Sequence, residues 1–202
     1  MSILCTMYLK DGIILASESR ATHSREKDGK KEITKRTDDL QKTFLINQKN
    51  IGISFCGNAK IKNIVLDDFF EEYVNKHVQH DDTVETIADL LYKIFRHNGT
   101  QVIVAGYLDD KPYVYKIEDG EISLLNRAGN EIIYGMEVRG AWPKTCAYFE
   151  ATMRNKIVFA DLQLEEGIKL VDELIKFAID NEEGCGGEIN ILVIKEKMSE
   201  WK

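Results

Sequence analysis

Ser2-Ile3-Leu4-Cys5-Thr6-Met7-Tyr8-Leu9-Lys10-Asp11-Gly12-Ile13-Ile14-Leu15-Ala16-Ser17-Glu18-Ser19-Arg20-Ala21-Thr22 is the stretch that decides the fold. Two apolar runs flank Lys10-Asp11-Gly12, and Asp-Gly between β-like segments signals a tight hairpin. Ser2, at the head of the first run, also carries chemistry. Once Met1 is removed, a hydroxyl nucleophile and a free α-amine sit on one residue. An α-amine has a pKa of about 7.7–8.0, so it can accept a proton near neutrality. One residue can then supply both nucleophile and base. The plain alternative is that Met-Ser is a common start.

Beyond this hairpin, residues 23–38 are mostly charged and lack an apolar period, which predicts a solvated loop or protruding hairpin. Thr43-Phe44-Leu45-Ile46 and Ile51-Gly52-Ile53-Ser54-Phe55-Cys56 predict a second hairpin, turning at residues 47–50 and ending at Gly57-Asn58. From Ala59 to His77 the positions Ile61, Ile64, Val65, Phe69, Tyr73 and Val74 recur at helical spacing. Asp82 followed by Glu85 predicts a capping box, opening a helix whose face is Val84, Ile87, Leu90, Leu91 and Ile94. Strands follow at 101–108, 112–118 and 121–125, with a short one at 132–134. Helices are expected over 144–153 and after Asp161, the latter with Ile168, Val171, Leu174, Ile175 and Ala178 on its face. The glycine-rich turn Gly184-Cys185-Gly186-Gly187 leads to a last strand, 188–195.

Strands in blocks and helices in pairs argue against alternating βαβ units. Two packed antiparallel sheets, each covered by a helix pair, would bury every apolar face. The expected fold class is therefore α+β, a four-layer αββα sandwich, with residues 1–202 forming one domain. At 202 residues the chain can bury a sizeable core, and 30% charged with 44% apolar residues is a globular composition. A net charge of −7 gives no reason to expect nucleic acid or an anionic membrane as partner. With no bilayer-length apolar run and no signal-like start, a cytoplasmic location is expected. Cys5, Cys56, Cys146 and Cys185 show no C-x-x-C spacing. His77 and His80 have helical spacing but no accompanying ligand motif, so neither metal nor cofactor is expected.

The opening block, Ile51 to Gly57, residues 102–107 with 112–115, and the Gly186–Ile194 run resemble, in order, the proteasome family of N-terminal nucleophile (Ntn) hydrolases. The likeness is to its β-type subunits, as a divergent bacterial or archaeal-type member. Counting back from Asp11-Gly12, the resemblance places the family's nucleophile on Ser2. It assigns Glu18 to the acidic residue near the nucleophile, with Arg20 on the same segment, Lys42 to the active-site lysine and Gly57 to the oxyanion-hole glycine. Glu182 and Cys185 align with the family's aspartate and serine that tie down the N-terminus. The family's glycine-serine-glycine segment aligns poorly with Arg139-Gly140-Ala141, which lacks that segment's active-site serine.

The resemblance implies a hydrolase of peptide or other amide bonds, with peptide or protein as substrate. It also implies a self-assembling homo-oligomeric ring, fed by a separate ATPase unfoldase. Two alternatives stay open: a non-catalytic scaffold or binding subunit, and a small-molecule amidase on the same fold.

Overall fold

The protein is described from a computed structural model that covers residues 2–27, 29–46, 50–79, 81–140 and 143–202. The Asp-Gly turn joins β1 (Leu4–Leu9) to β2 (Gly12–Glu18) in an antiparallel pair with Leu9 opposite Gly12. Every residue of β2 is buried. Its side chains alternate with the pleat: Ile13 and Leu15 face one core, Ile14 and Ala16 another. A strand covered on both faces reads as a continuous apolar run, as this one does.

The charged stretch forms a separate hairpin, β3 (Ala21–Lys27) with β4 (Lys30–Thr37), whose register shifts between His23 and Ser24. The second predicted hairpin is β5 (Thr43–Ile46) with β6 (Ile51–Gly57); most of its turn, residues 47–49, lies outside the described residues.

The helix expected from Ala59 starts later. Lys62 and Asn63 adopt positive φ, 46° and 70°, and fold residues 60–65 into a miniature hairpin, β7 (Lys60–Ile61) with β8 (Ile64–Val65). Ile61 and Ile64 face each other across that turn, which mimics helical i, i+3 spacing in sequence. Helix α1 then runs Leu66–Lys76.

The next cap also differs from expectation. Thr83, not Asp82, is the N-cap of α2 (Val84–Phe95), and its box partner is Thr86, not Glu85. Thr83 Oγ1 accepts from Thr86 N–H at 3.2 Å, and Thr86 Oγ1 accepts from Thr83 N–H at 2.7 Å. Asp82 instead accepts from Gln79 N–H at 2.7 Å. The buried face is Val84, Ile87, Ala88, Leu91 and Phe95, while Leu90 and Ile94 are exposed.

Strands β9 (Thr100–Leu108), β10 (Lys111–Glu118) and β11 (Glu121–Leu124) form the expected meander. A small pair, β12 (Arg127–Ala128) with β13 (Glu131–Ile132), replaces the strand expected at 132–134. Sequence reading overlooks β14 (Gly135–Arg139), a short amphipathic strand that pairs with β1 and sends Met136 and Val138 into the core. Helix α3 (Lys144–Phe149) continues as a π-helical turn to Arg154. After α4 (Leu164–Asn181) come β15 (Ile189–Ile194) and a short β16 (Ser199–Trp201).

One sheet has the order β14-β1-β2-β15-β16, the other β11-β10-β9-β6-β5. Their facing sides share a core containing Tyr8, Ile13, Leu15, Ile103, Ala105, Val114, Leu192 and Ile194. The outer side of the first sheet packs on α3 and α4, with Val171, Leu174, Ile175 and Ala178 in that core; Ile168 is only partly buried. The second sheet's outer side packs on α1 and α2 through Phe44, Phe55, Phe70 and Phe95. This is the four-layer αββα sandwich.

Candidate active site

Residues from both sheets and from the charged hairpin line a cleft of about 980 Å³. Ser2 lies at this cleft together with Arg20, Lys42, Gly57, Arg139 and Gly140. Two contacts hold the chain at Ser2. On one side the Ile3 N–H donates to Glu18 Oε1 at 3.2 Å. On the other, Gly140 sits against the Ser2 carbonyl so closely that a Cβ there would lie 2.0 Å from its oxygen. Gly140 also has φ of +100°, which side-chain-bearing residues rarely adopt. Met1 lies outside the described residues, as do Ala141 and Trp142.

Glu18 ends β2 and is fully buried. Its four hydrogen bonds join separate parts of the chain. Oε1 accepts from Ile3 N–H and from the Lys42 ammonium; Oε2 accepts from Arg20 N–H at 2.7 Å and Gly186 N–H at 3.1 Å. Lys42 is 1% exposed and also donates to the Arg20 carbonyl at 2.6 Å. Burial pulls the Lys42 pKa below 10.5, while the charge of Glu18 opposes that shift. A buried ion pair is weak evidence for stability, because desolvation offsets most of its attraction. Lys42 lines the same cleft as Ser2. Beside it, Ser17, Thr43 and Ser54 form a buried chain of hydroxyls at 2.9 and 3.0 Å.

Arg20 forms a two-point ion pair with Asp38, Nε to Oδ1 at 2.7 Å and a terminal nitrogen to Oδ2 at 2.9 Å. Its other terminal nitrogen donates to the Cys185 carbonyl at 2.8 Å. The glycine turn makes room for this guanidinium: a Cβ on Gly186 would lie 2.2 Å from the Arg20 Cζ. Cys185 therefore supports the site through its backbone. Burial first, then the charge of Glu18, push its thiol up to about 12, so it stays protonated at neutral pH.

Glu182 is not among the residues lining the cleft. Its carboxylate accepts from Thr145 N–H at 3.0 Å and Thr145 Oγ1 at 3.3 Å, tying the end of α4 to the start of α3. With one methylene more than an aspartate, its carboxylate serves the α3 terminus, where negative charge is favoured.

Gly57, at the end of β6, lines the cleft with φ of +96° and leaves no space for a Cβ beside the Gly99 carbonyl, 2.7 Å away. The structure thus brings Ser2, Arg20, Lys42 and Gly57 to one cleft, with Glu18 beneath it.

Gln101 and Glu118 at the cleft, and Asp38 paired with Arg20, escaped sequence reading, whereas Arg139 and Gly140, which also line the cleft, stand in the segment the resemblance already singles out. Asp38 is one acid among many in a charged run. Gly140 had a visible signal, the glycine shared with the family segment. Among the described residues, no group of three or more His, Cys, Asp or Glu is arranged to hold a metal ion. His80 lies outside them.

Comparison with protein-family models matches residues 3–123, more than half of the chain, to the model described as Proteasome subunit. No curated protein matches the chain.

Proposed function

This chain belongs to the proteasome subunit family of Ntn hydrolases, and on that premise we propose that it is an N-terminal serine hydrolase cleaving peptide bonds. Removal of Met1 frees the Ser2 α-amine. Ser2 Oγ attacks the substrate carbonyl, and the α-amine, directly or through a water, takes the hydroxyl proton. The Gly57 N–H donates to the developing oxyanion. The amine leaving group departs with a proton returned by the Ser2 ammonium, leaving an ester on Ser2. Water, activated by the same amine, hydrolyses that ester. Lys42 supplies positive potential at the nucleophile, and Glu18 balances its charge. By analogy with the family, copies of the chain associate into a ring, with a separate ATPase unfoldase delivering substrate.

The observation that carries this reading is the two-sided hold on Ser2, by Glu18 and by Gly140, above a buried Lys42–Glu18 pair. Intact mass is expected to show Met1 absent, and a peptide epoxyketone is expected to add one equivalent to Ser2. Ser2→Ala is expected to abolish both labelling and turnover.

A scaffold or binding subunit is the second reading, favoured by the hydrogen bonds of Glu182, which among the described residues go to Thr145 and not to Ser2. A chain that has lost Met1 yet takes no label and shows no turnover would establish that reading over the first, while turnover that survives Ser2→Ala would overturn Ser2 as the nucleophile.

A further inference from the structure

One wall of the cleft carries a polar relay between the two sheets that the proposed chemistry leaves unused. It begins at Cys56, the residue before Gly57. Cys56 Sγ donates to Gln101 Oε1 at 3.1 Å, its cross-strand neighbour between β6 and β9. Gln101 Nε2 in turn donates to Glu118 Oε1 on β10. The other oxygen of Glu118 faces Lys116 Nζ at 3.1 Å and Arg139 Nε at 3.5 Å. Arg139 also pairs with Glu137, which Lys116 meets at 3.4 Å. Arg139 immediately precedes Gly140.

The direction of each bond is fixed by chemistry. Lys116 and Arg139 face Glu118 as ion-pair partners, Arg139 Nε without a hydrogen bond of its own, and a carboxylate paired with cations accepts from its other neighbours. Gln101 can then present only its amide nitrogen to Glu118, which turns its oxygen toward Cys56. Burial holds the Cys56 thiol up at about 12, so it keeps the proton it donates. One end of this relay reaches the proposed oxyanion donor, and the other reaches the glycine against the Ser2 carbonyl. Glu118 stands between them, with β6, β9 and β10 in one sheet and β14 in the other.

We propose that Glu118 is a positioning residue: it braces the Cys56-Gly57 segment against the Arg139-Gly140 segment and so sets the separation between the oxyanion donor and Ser2. This rests on the hydrolase reading for its catalytic consequence, but the brace itself is a property of the fold. The Gln variant separates its two arms. Glu118→Gln keeps an oxygen for Gln101 and loses the charge that faces Lys116 and Arg139.

Two measurements on the full-length protein test it. In hydrogen–deuterium exchange, Glu118→Ala is expected to speed exchange at least 10-fold at both 54–58 and 136–140. Glu118→Gln is expected to do so at 136–140 alone, with the thermal midpoint of both variants near wild type. In peptide turnover, Glu118→Ala is expected to lower kcat about 10-fold with KM unchanged, and Glu118→Gln to recover part of that loss. Unchanged exchange at both segments in Glu118→Ala would overturn the brace. Altered exchange with unchanged kcat would overturn its role in positioning. A wild type without Ser2-dependent turnover would sink the hydrolase reading, while the exchange result would still decide the brace.

Discussion

Glu18 has every part of its carboxylate engaged, by three backbone N–H groups and one ammonium. Removing one partner of such a buried pair leaves an uncompensated charge, at a cost of about 3–5 kcal/mol. Lys42→Ala is therefore expected to destabilise the protein by that amount in urea unfolding, with the slope against denaturant unchanged. The same lysine gives stability a pH dependence of definite sign. Because its folded pKa lies below 10.5, the unfolded chain binds the proton more tightly. Between the lowered value and 10.5, stability from this group rises with pH and falls as pH drops through the folded value. Unfolding free energies of wild type and Lys42→Met, compared across that window, should differ with this slope. The family resemblance singled out Ser2, Glu18, Lys42 and Gly57, because each lies in or beside a strand block that carries the resemblance. The fold brings Ser2, Lys42 and Gly57 to one cleft, with Glu18 bonded to Lys42. Glu118 was not legible in the sequence, since its partners come from strands whose pairing only the tertiary fold decides.

Caps and turns set where the elements begin. Thr83 and Thr86 form a reciprocal box at the start of α2, so Thr83→Ala is expected to cost about 1 kcal/mol. Glu85→Ala, outside that box, is expected to stay within about 0.5 kcal/mol. Chemical denaturation of the two variants distinguishes the observed cap from the Asp82–Glu85 reading. The strands of the two inner layers were easy to read because burial on both faces writes them as unbroken apolar runs. Two expectations failed, each for its own reason. Ile61 and Ile64 have helical spacing, yet positive φ at Lys62 and Asn63 makes them a hairpin, and periodicity is blind to φ. Strand β14 alternates apolar Met136 and Val138 with Gly135, Glu137 and Arg139, but over only five residues with two apolar positions, too short a period to stand out until its pairing with β1 is seen.

The order of elements implied the whole molecule's layering before any contact was known, because only helix-covered stacked sheets bury so many apolar faces at once. Self-association is a different matter, for nothing in a single chain's core requires it. The ring proposal makes the assembled mass a whole-number multiple of the chain's own. Sedimentation velocity is expected to show that species at micromolar concentration, and a monomer at every concentration would refute the ring.

The hold on Ser2 also determines where anything joined ahead of it can go. With Ile3 N–H committed to Glu18 and the Ser2 carbonyl pressed on Gly140, an upstream extension has the cleft as its way out. On the hydrolase proposal, a peptide fused before Ser2 would occupy the cleft in place of substrate and act as a tethered competitor. Lys202, exposed at the opposite terminus, is the end at which a tag leaves the cleft free.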